Sequence, residues 1–140
     1  MTHANLAFKA PALGALILAV LAATNIRAEE IVVIVSPAAK SVSKQQVADL
    51  YLGRGGGLTP IDQTSGSSIY AEFYKKATGR DLAQVKAIWS RILFTGRGQP
   101  PQQLTDSAAV KKAIAASPTA VGYIEKSAVD ASVKVAFPLD

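Results

Sequence analysis

The sequence predicts an α/β domain, a small mixed sheet covered by helices. Three observations carry this. A continuous β-branched run, Ile31-Val32-Val33-Ile34-Val35, reads as a strand buried on both faces. Two of the helical stretches that follow open on a capping signal, and two close at a glycine. Two short apolar runs near the C-terminus then complete the alternation of strand and helix periods.

Taken in order, the first strand stops at Ser36-Pro37 and a helix opens at Ser43. The Ser43 hydroxyl caps the first-turn N–H groups while Gln46 reaches back, a capping box. Val47, Leu50 and Tyr51 fall at helical spacing, and Gly53 ends the helix. Arg54-Gly55-Gly56-Gly57 reads as a turn, because it lacks the Gly-Lys-Ser/Thr ending that a phosphate-cradling P-loop requires. Thr59-Pro60-Ile61-Asp62 is a brief strand or an extended lead-in to the segment after it.

Ile69, Phe73 and Ala77 form one helical stripe, with Tyr70 and Tyr74 beside it, and Gly79 closes that helix. Asp81 caps the next, with Gln84 as its partner. Leu82, Val85, Ile88, Trp89, Ile92 and Leu93 make a broad apolar face that is expected to be the largest single contribution to the core. Each such side chain, fully buried, contributes about 1.5–3 kcal/mol. Residues 96–101 read as a rigid loop. Asp106 or Ser107 starts a last helix with Val110, Ala113 and Ile114 inward, broken by Pro118. Ala120–Ile124 and the alternating Val133, Val135 and Phe137 are the closing strands.

Ahead of this domain, residues 10–23 are apolar, preceded by Lys9 and followed by a small-residue junction at Ala28. The stretch is shorter than the roughly 18 residues of a membrane span. It fits a signal peptide, residues 1–28, against the competing readings of an anchor or a buried first helix. The expected mature domain is then residues 29–140, periplasmic or secreted. Lys9 and Arg27 lie in the leader, which lowers the formal charge from +5 to +3. His3, the one histidine, leaves with it, and the chain has no cysteine.

These counts exclude much chemistry. Without His or Cys there is no Ser-His-Asp or Cys-His catalysis, no disulfide and no His- or Cys-held metal. The carboxylates form no recognisable catalytic pair, so no enzyme, no metal and no cofactor is expected. The basic residues are scattered among acids, with no block of like charge and no interleaved aromatics, which argues against nucleic acid.

One segment stands out. Thr64-Ser65-Gly66-Ser67-Ser68 precedes a helix, where unpaired N–H groups carry partial positive charge. Four hydroxyls and a glycine exceed what a cap needs, and suit an anion that approaches the backbone closely. Simple capping is the competing use of the same residues.

At these residues the chain resembles a known family. The succession IVVIVSP, SKQQVADLYLGR, TSGSSIYAEFYKKATGR, WSRILFTGRGQPP and AVGYIEKSAV is similar to the phosphate-binding proteins that serve periplasmic ABC importers, and most similar to their short, single-lobe members. The resemblance implies a fold like one lobe of a two-lobe periplasmic binding protein. It implies donors to phosphate or a similar oxyanion at Ser65, Gly66 and Ser67, with Ser68 added by position. A membrane transporter or another periplasmic protein is the implied partner. Two departures stand against it. Relatives carry an arginine four residues before the first serine, where this chain has Ile61 beside Asp62, a carboxylate of the wrong sign. The second lobe is also missing. Arg54 and Arg97, both in glycine-rich loops, are the candidates to replace the lost charge. An interaction module that kept the lobe without tight ligand binding is the alternative function.

Overall fold

The computed structural model describes residues 29–140, so the expected leader and its junction at Ala28 lie outside the described residues. The elements are β1 (Ile31–Val35), α1 (Lys44–Tyr51), β2 (Thr59–Gln63), α2 (Tyr70–Thr78), α3 (Leu82–Phe94), β3 (Gln102–Leu104), α4 (Ser107–Ala115), β4 (Ala120–Glu125) and β5 (Lys134–Leu139). The strands form one mixed sheet in the order β3-β2-β4-β1-β5. β2 runs parallel to both β3 and β4, whereas β1 is antiparallel to β4 and β5.

All five residues of β1 are buried, as a strand between two neighbours and between two helical layers must be. Alternate side chains feed two cores. Val33, Val121 and Tyr123 face α1 and α2, with Leu50, Tyr51, Phe73 and Tyr74. Val32, Ile34, Ile61 and Ile124 face α4, against Val110 and Ile114. Phe73 stacks on Tyr123 with ring centroids 3.6 Å apart, and Tyr51 meets Phe73 edge-on at 4.7 Å. Both predicted capping boxes are present, Ser43 with Gln46 and Asp81 with Gln84. Gly53 and Gly79 take left-handed φ values of 77° and 73°, which is how each ends its helix.

The apolar face of α3 is not the main core contribution. Of its residues Val85 alone is buried; Leu82, Ile88, Trp89 and Ile92 are half-buried, and Leu93 and Phe94 stand 47% and 94% exposed. The reason is layering. α3 packs on α2 and on the end of α1, where Trp89 Nε1 donates to the Tyr51 carbonyl at 3.0 Å, so it sits one layer outside the sheet. The large core comes instead from β1, β4 and the aromatic side of α2.

Two smaller differences concern strands. β3 falls in a stretch to which the sequence assigned no element, because three residues with two glutamines carry no strand pattern. β5 begins at Lys134, and its pairing with β1 slips between Val33 and Ile34, leaving Val135 38% exposed and Phe137 half-buried.

Candidate functional site

The Ser-Gly segment leaves the C-terminal end of β2, a parallel strand, and leads into α2. Open α/β sheets characteristically bind ligands at such strand ends. The segment is pinned at its base: Thr64 N–H donates to the Leu104 carbonyl of β3 at 3.1 Å. One hydroxyl serves the helix start: the N-cap position of α2 is Ile69, which makes no side-chain cap bond itself, and its N–H donates to Ser67 Oγ at 3.4 Å.

Ser67 is committed internally. Its N–H donates to the Thr64 carbonyl at 2.9 Å, and its hydroxyl donates to Gln63 Oε1 at 2.6 Å. Ser65, Gly66 and Ser68 are exposed, and among the described residues their N–H groups and hydroxyls have no protein acceptor. Three of the four expected ligand residues therefore present free donors, and the fourth orients the loop.

Behind the loop lies a network that sequence reasoning missed. Gln63, 1% exposed, donates through Nε2 to Ser107 Oγ at 3.0 Å and to the Tyr123 carbonyl at 3.0 Å. The Ser107 hydroxyl in turn donates to a Glu125 carboxylate oxygen. The chain Ser67, Gln63, Ser107, Glu125 thus ties the loop to the first residue of α4 and the last of β4. It is neutral except at Glu125, whose negative charge works against an anion placed nearby.

Asp62 plays a different part from the one its position suggested. It is 2% exposed and accepts three hydrogen bonds. Oδ1 receives Gln63 N–H at 2.8 Å and the Tyr123 hydroxyl at 2.5 Å; Oδ2 receives the Tyr74 hydroxyl at 2.5 Å. Burial holds its pKa above the ordinary aspartate value, an effect the three donors partly oppose. Burial and the adjacent carboxylate also raise both tyrosines, which stay protonated as donors. The carboxylate is therefore a buried fastening of β2 to α2 and β4, not a charge presented to a ligand. Tyr123, read as a sheet residue, is wholly buried.

Ile61 belongs to the α4-side core at 5% exposure. Arg54 and Arg97 do come together, but with Arg80 and Arg91 around a cavity that no residue of the segment 64–68 lines. Among the described residues no group of three or more His, Cys, Asp or Glu side chains could hold a metal, and no helix is long and apolar enough to cross a membrane.

Neither a family model nor a curated protein matches the chain. Solved structures do. An ABC-type phosphate transport receptor from Vibrio cholerae superposes with a TM-score of 0.58 over 76% of this chain and 45% of that one, at 16% identity. A putative phosphate ABC transporter substrate-binding protein with bound phosphate, from Clostridium perfringens, gives 0.53 over 76% and 44%, at 20% identity. The fold is that of a single binding-protein lobe. The chain spans less than half the length of either receptor, and the likeness is one of fold.

Proposed function

We propose that this chain is an exported solute-binding lobe that holds phosphate or a similar oxyanion at Ser65, Gly66 and Ser68, with Ser67 positioning the loop. The observation that carries the reading is the loop's arrangement: free donors at a parallel strand end, in a lobe whose fold is shared with phosphate-binding receptors. The donors are neutral. Several hydrogen bonds to an anion, at about 1.5–3 kcal/mol each, against the cost of immobilising the ligand, leave a dissociation constant on the order of millimolar. A lone lobe buries little of its ligand, which points the same way. In this reading the chain works in the periplasm after loss of residues 1–28, beside a membrane transporter or another periplasmic protein.

Calorimetric titration with phosphate and sulfate tests the binding. Saturable heat in the millimolar range, weakened about tenfold by Ser65→Ala with Ser68→Ala, is expected. No heat at about 10 mM, well above the expected constant, or heat unchanged in the double variant, sinks the reading. Intact mass of the exported protein tests the leader; the expected species starts at Glu29.

A second reading, an interaction module without useful ligand affinity, is favoured by Glu125 at the end of the loop's network and by Ile61 in the core. Sedimentation with and without phosphate separates the two. A strict monomer with saturable phosphate binding counts against the module.

A further inference from the structure

Four arginines, Arg54, Arg80, Arg91 and Arg97, line one cavity of about 550 Å³ together with Ile88, Ile92 and the residues that follow α1. No carboxylate lines it. Among the described residues the only one of the four with an ion-pair partner is Arg54, whose guanidinium lies 3.0 Å from Asp49 Oδ1. Gathering like charges around one concavity raises their mutual repulsion, which a bound anion would relieve.

Two of the four arginines are also held in place. Arg54 N–H donates to the Asp49 carbonyl at 2.8 Å, so its backbone and side chain are both tied to α1. Arg97 Nε donates to Thr95 Oγ1 at 3.1 Å, and that hydroxyl lies 3.1 Å from the Arg91 and Ile92 carbonyls at the end of α3. Gly53 brings the two halves together. With φ at 77° it turns the chain against α3 so closely that a Cβ would sit 2.4 Å from Ile92 Cδ1. The stretches DLYLGR and WSRILFTGRG, distinctive in the sequence, thus both line the same cavity.

We propose that this cavity is a second binding site, for a small organic polyanion: a compact carbon skeleton bearing two or more phosphate or carboxylate groups. The volume falls within the usual 300–1,000 Å³ of small-molecule sites, and a single orthophosphate would leave most of it empty. Guanidinium forks suit both phosphate and carboxylate, and the isoleucine lining suits carbon. None of the residues 64–68 takes part, so the site stands apart from the oxyanion loop.

The test is calorimetric titration of the purified protein with fructose 1,6-bisphosphate, citrate and orthophosphate. At least one of the first two should bind tenfold or more tighter than orthophosphate, and the preferred probe identifies the anionic group. Arg80→Gln and Arg91→Gln should each weaken that binding about tenfold, with circular dichroism and melting temperature unchanged. Ser65→Ala with Ser68→Ala should leave it intact, whether or not the loop binds phosphate. The proposal is overturned if neither multivalent probe outbinds orthophosphate. It is equally overturned if binding survives the paired arginine substitutions, or is lost instead in the serine variant.

Discussion

Asp62→Leu examines the buried fastening directly. The substitution removes the acceptor of two buried hydroxyls, Tyr74 and Tyr123, while Gln63 N–H keeps the Tyr123 oxygen at 3.3 Å. Each stranded hydroxyl costs about 1–3 kcal/mol, giving roughly 2–6 kcal/mol for the pair. Against this, the carboxylate no longer has to be held out of water, so a net loss of about 2–3 kcal/mol is expected at neutral pH. Adding Tyr74→Phe removes one stranded donor while the Tyr123 oxygen stays in place for Gln63 N–H, so the double variant should recover about 1 kcal/mol of the loss. The pH dependence has a definite sign. Because the native pKa of Asp62 is raised above its unfolded value, the native state holds that proton more tightly. Its contribution is fully present below the ordinary aspartate range and is lost as pH rises through the raised value. Urea unfolding, followed by Trp89 fluorescence from about pH 4 to about pH 8, reads both effects. The wild type should lose stability relative to the double variant as pH rises. A cost under about 0.5 kcal/mol for Asp62→Leu, or a double variant no more stable than the single, would refute the reasoning.

Gly53→Ala should cost about 2 kcal/mol, from the left-handed φ and from Ile92 and Trp89, whose nearest atoms lie 2.4 and 3.2 Å from the added carbon. Gly66→Ala, into open space, should leave the melting temperature unchanged. Gly122→Ala puts a carbon 2.9 Å from Val110 Cγ1 between β4 and α4, and denaturant midpoints should report a loss of about 1–3 kcal/mol. Asp81→Ala should remove about 1 kcal/mol by deleting one half of the α3 capping box. Asp130 titrates below the ordinary aspartate range, chiefly because Lys111 donates to it at 2.8 Å. Carboxyl chemical shifts should show its midpoint returning toward that range in Lys111→Met.

What the sequence made legible was local. Ser43, Asp81, Gly53 and Gly79 mark helix ends through contacts within four residues, and a run of five β-branched residues can hardly be anything but an inner strand. The α3 pattern showed that one face is apolar, but periodicity does not say what covers it, and a helix lying on other helices leaves Leu93 and Phe94 in water. The loop 64–68 was found from its hydroxyls, whereas Gln63 was not, because its partners Ser107 and Tyr123 lie 44 and 60 residues away. Asp62 misled for a related reason. A lone acid beside a serine-rich loop reads as charge near a ligand until the pairing of β2 with β4 brings Tyr123 alongside it.

The same long-range placement decides where Arg54 and Arg97 lie. With Ile61 where the resemblance implies an arginine, Arg54 and Arg97 were the residues expected to supply charge at the loop. Strength of attachment does not decide against this, since an exposed pair such as Arg54–Asp49 is worth only about 0.2–1 kcal/mol and could be given up. Location decides. Gly53 folds the start of the Arg54 loop onto Ile92, and Thr95 holds Arg97 at the end of the same helix. Both arginines thereby line a cavity shared with Arg80 and Arg91 and not the loop 64–68. The loop is left with neutral donors and a carboxylate behind them, while the cavity holds positive charge in excess. Neutral donors recognise an oxyanion by shape at modest affinity, and clustered guanidiniums select for the number of negative charges. Under the two proposals, the absence of an arginine at the loop does not make the lobe indifferent to anions: contact geometry is proposed for residues 65–68 and charge recognition for the far end of α3.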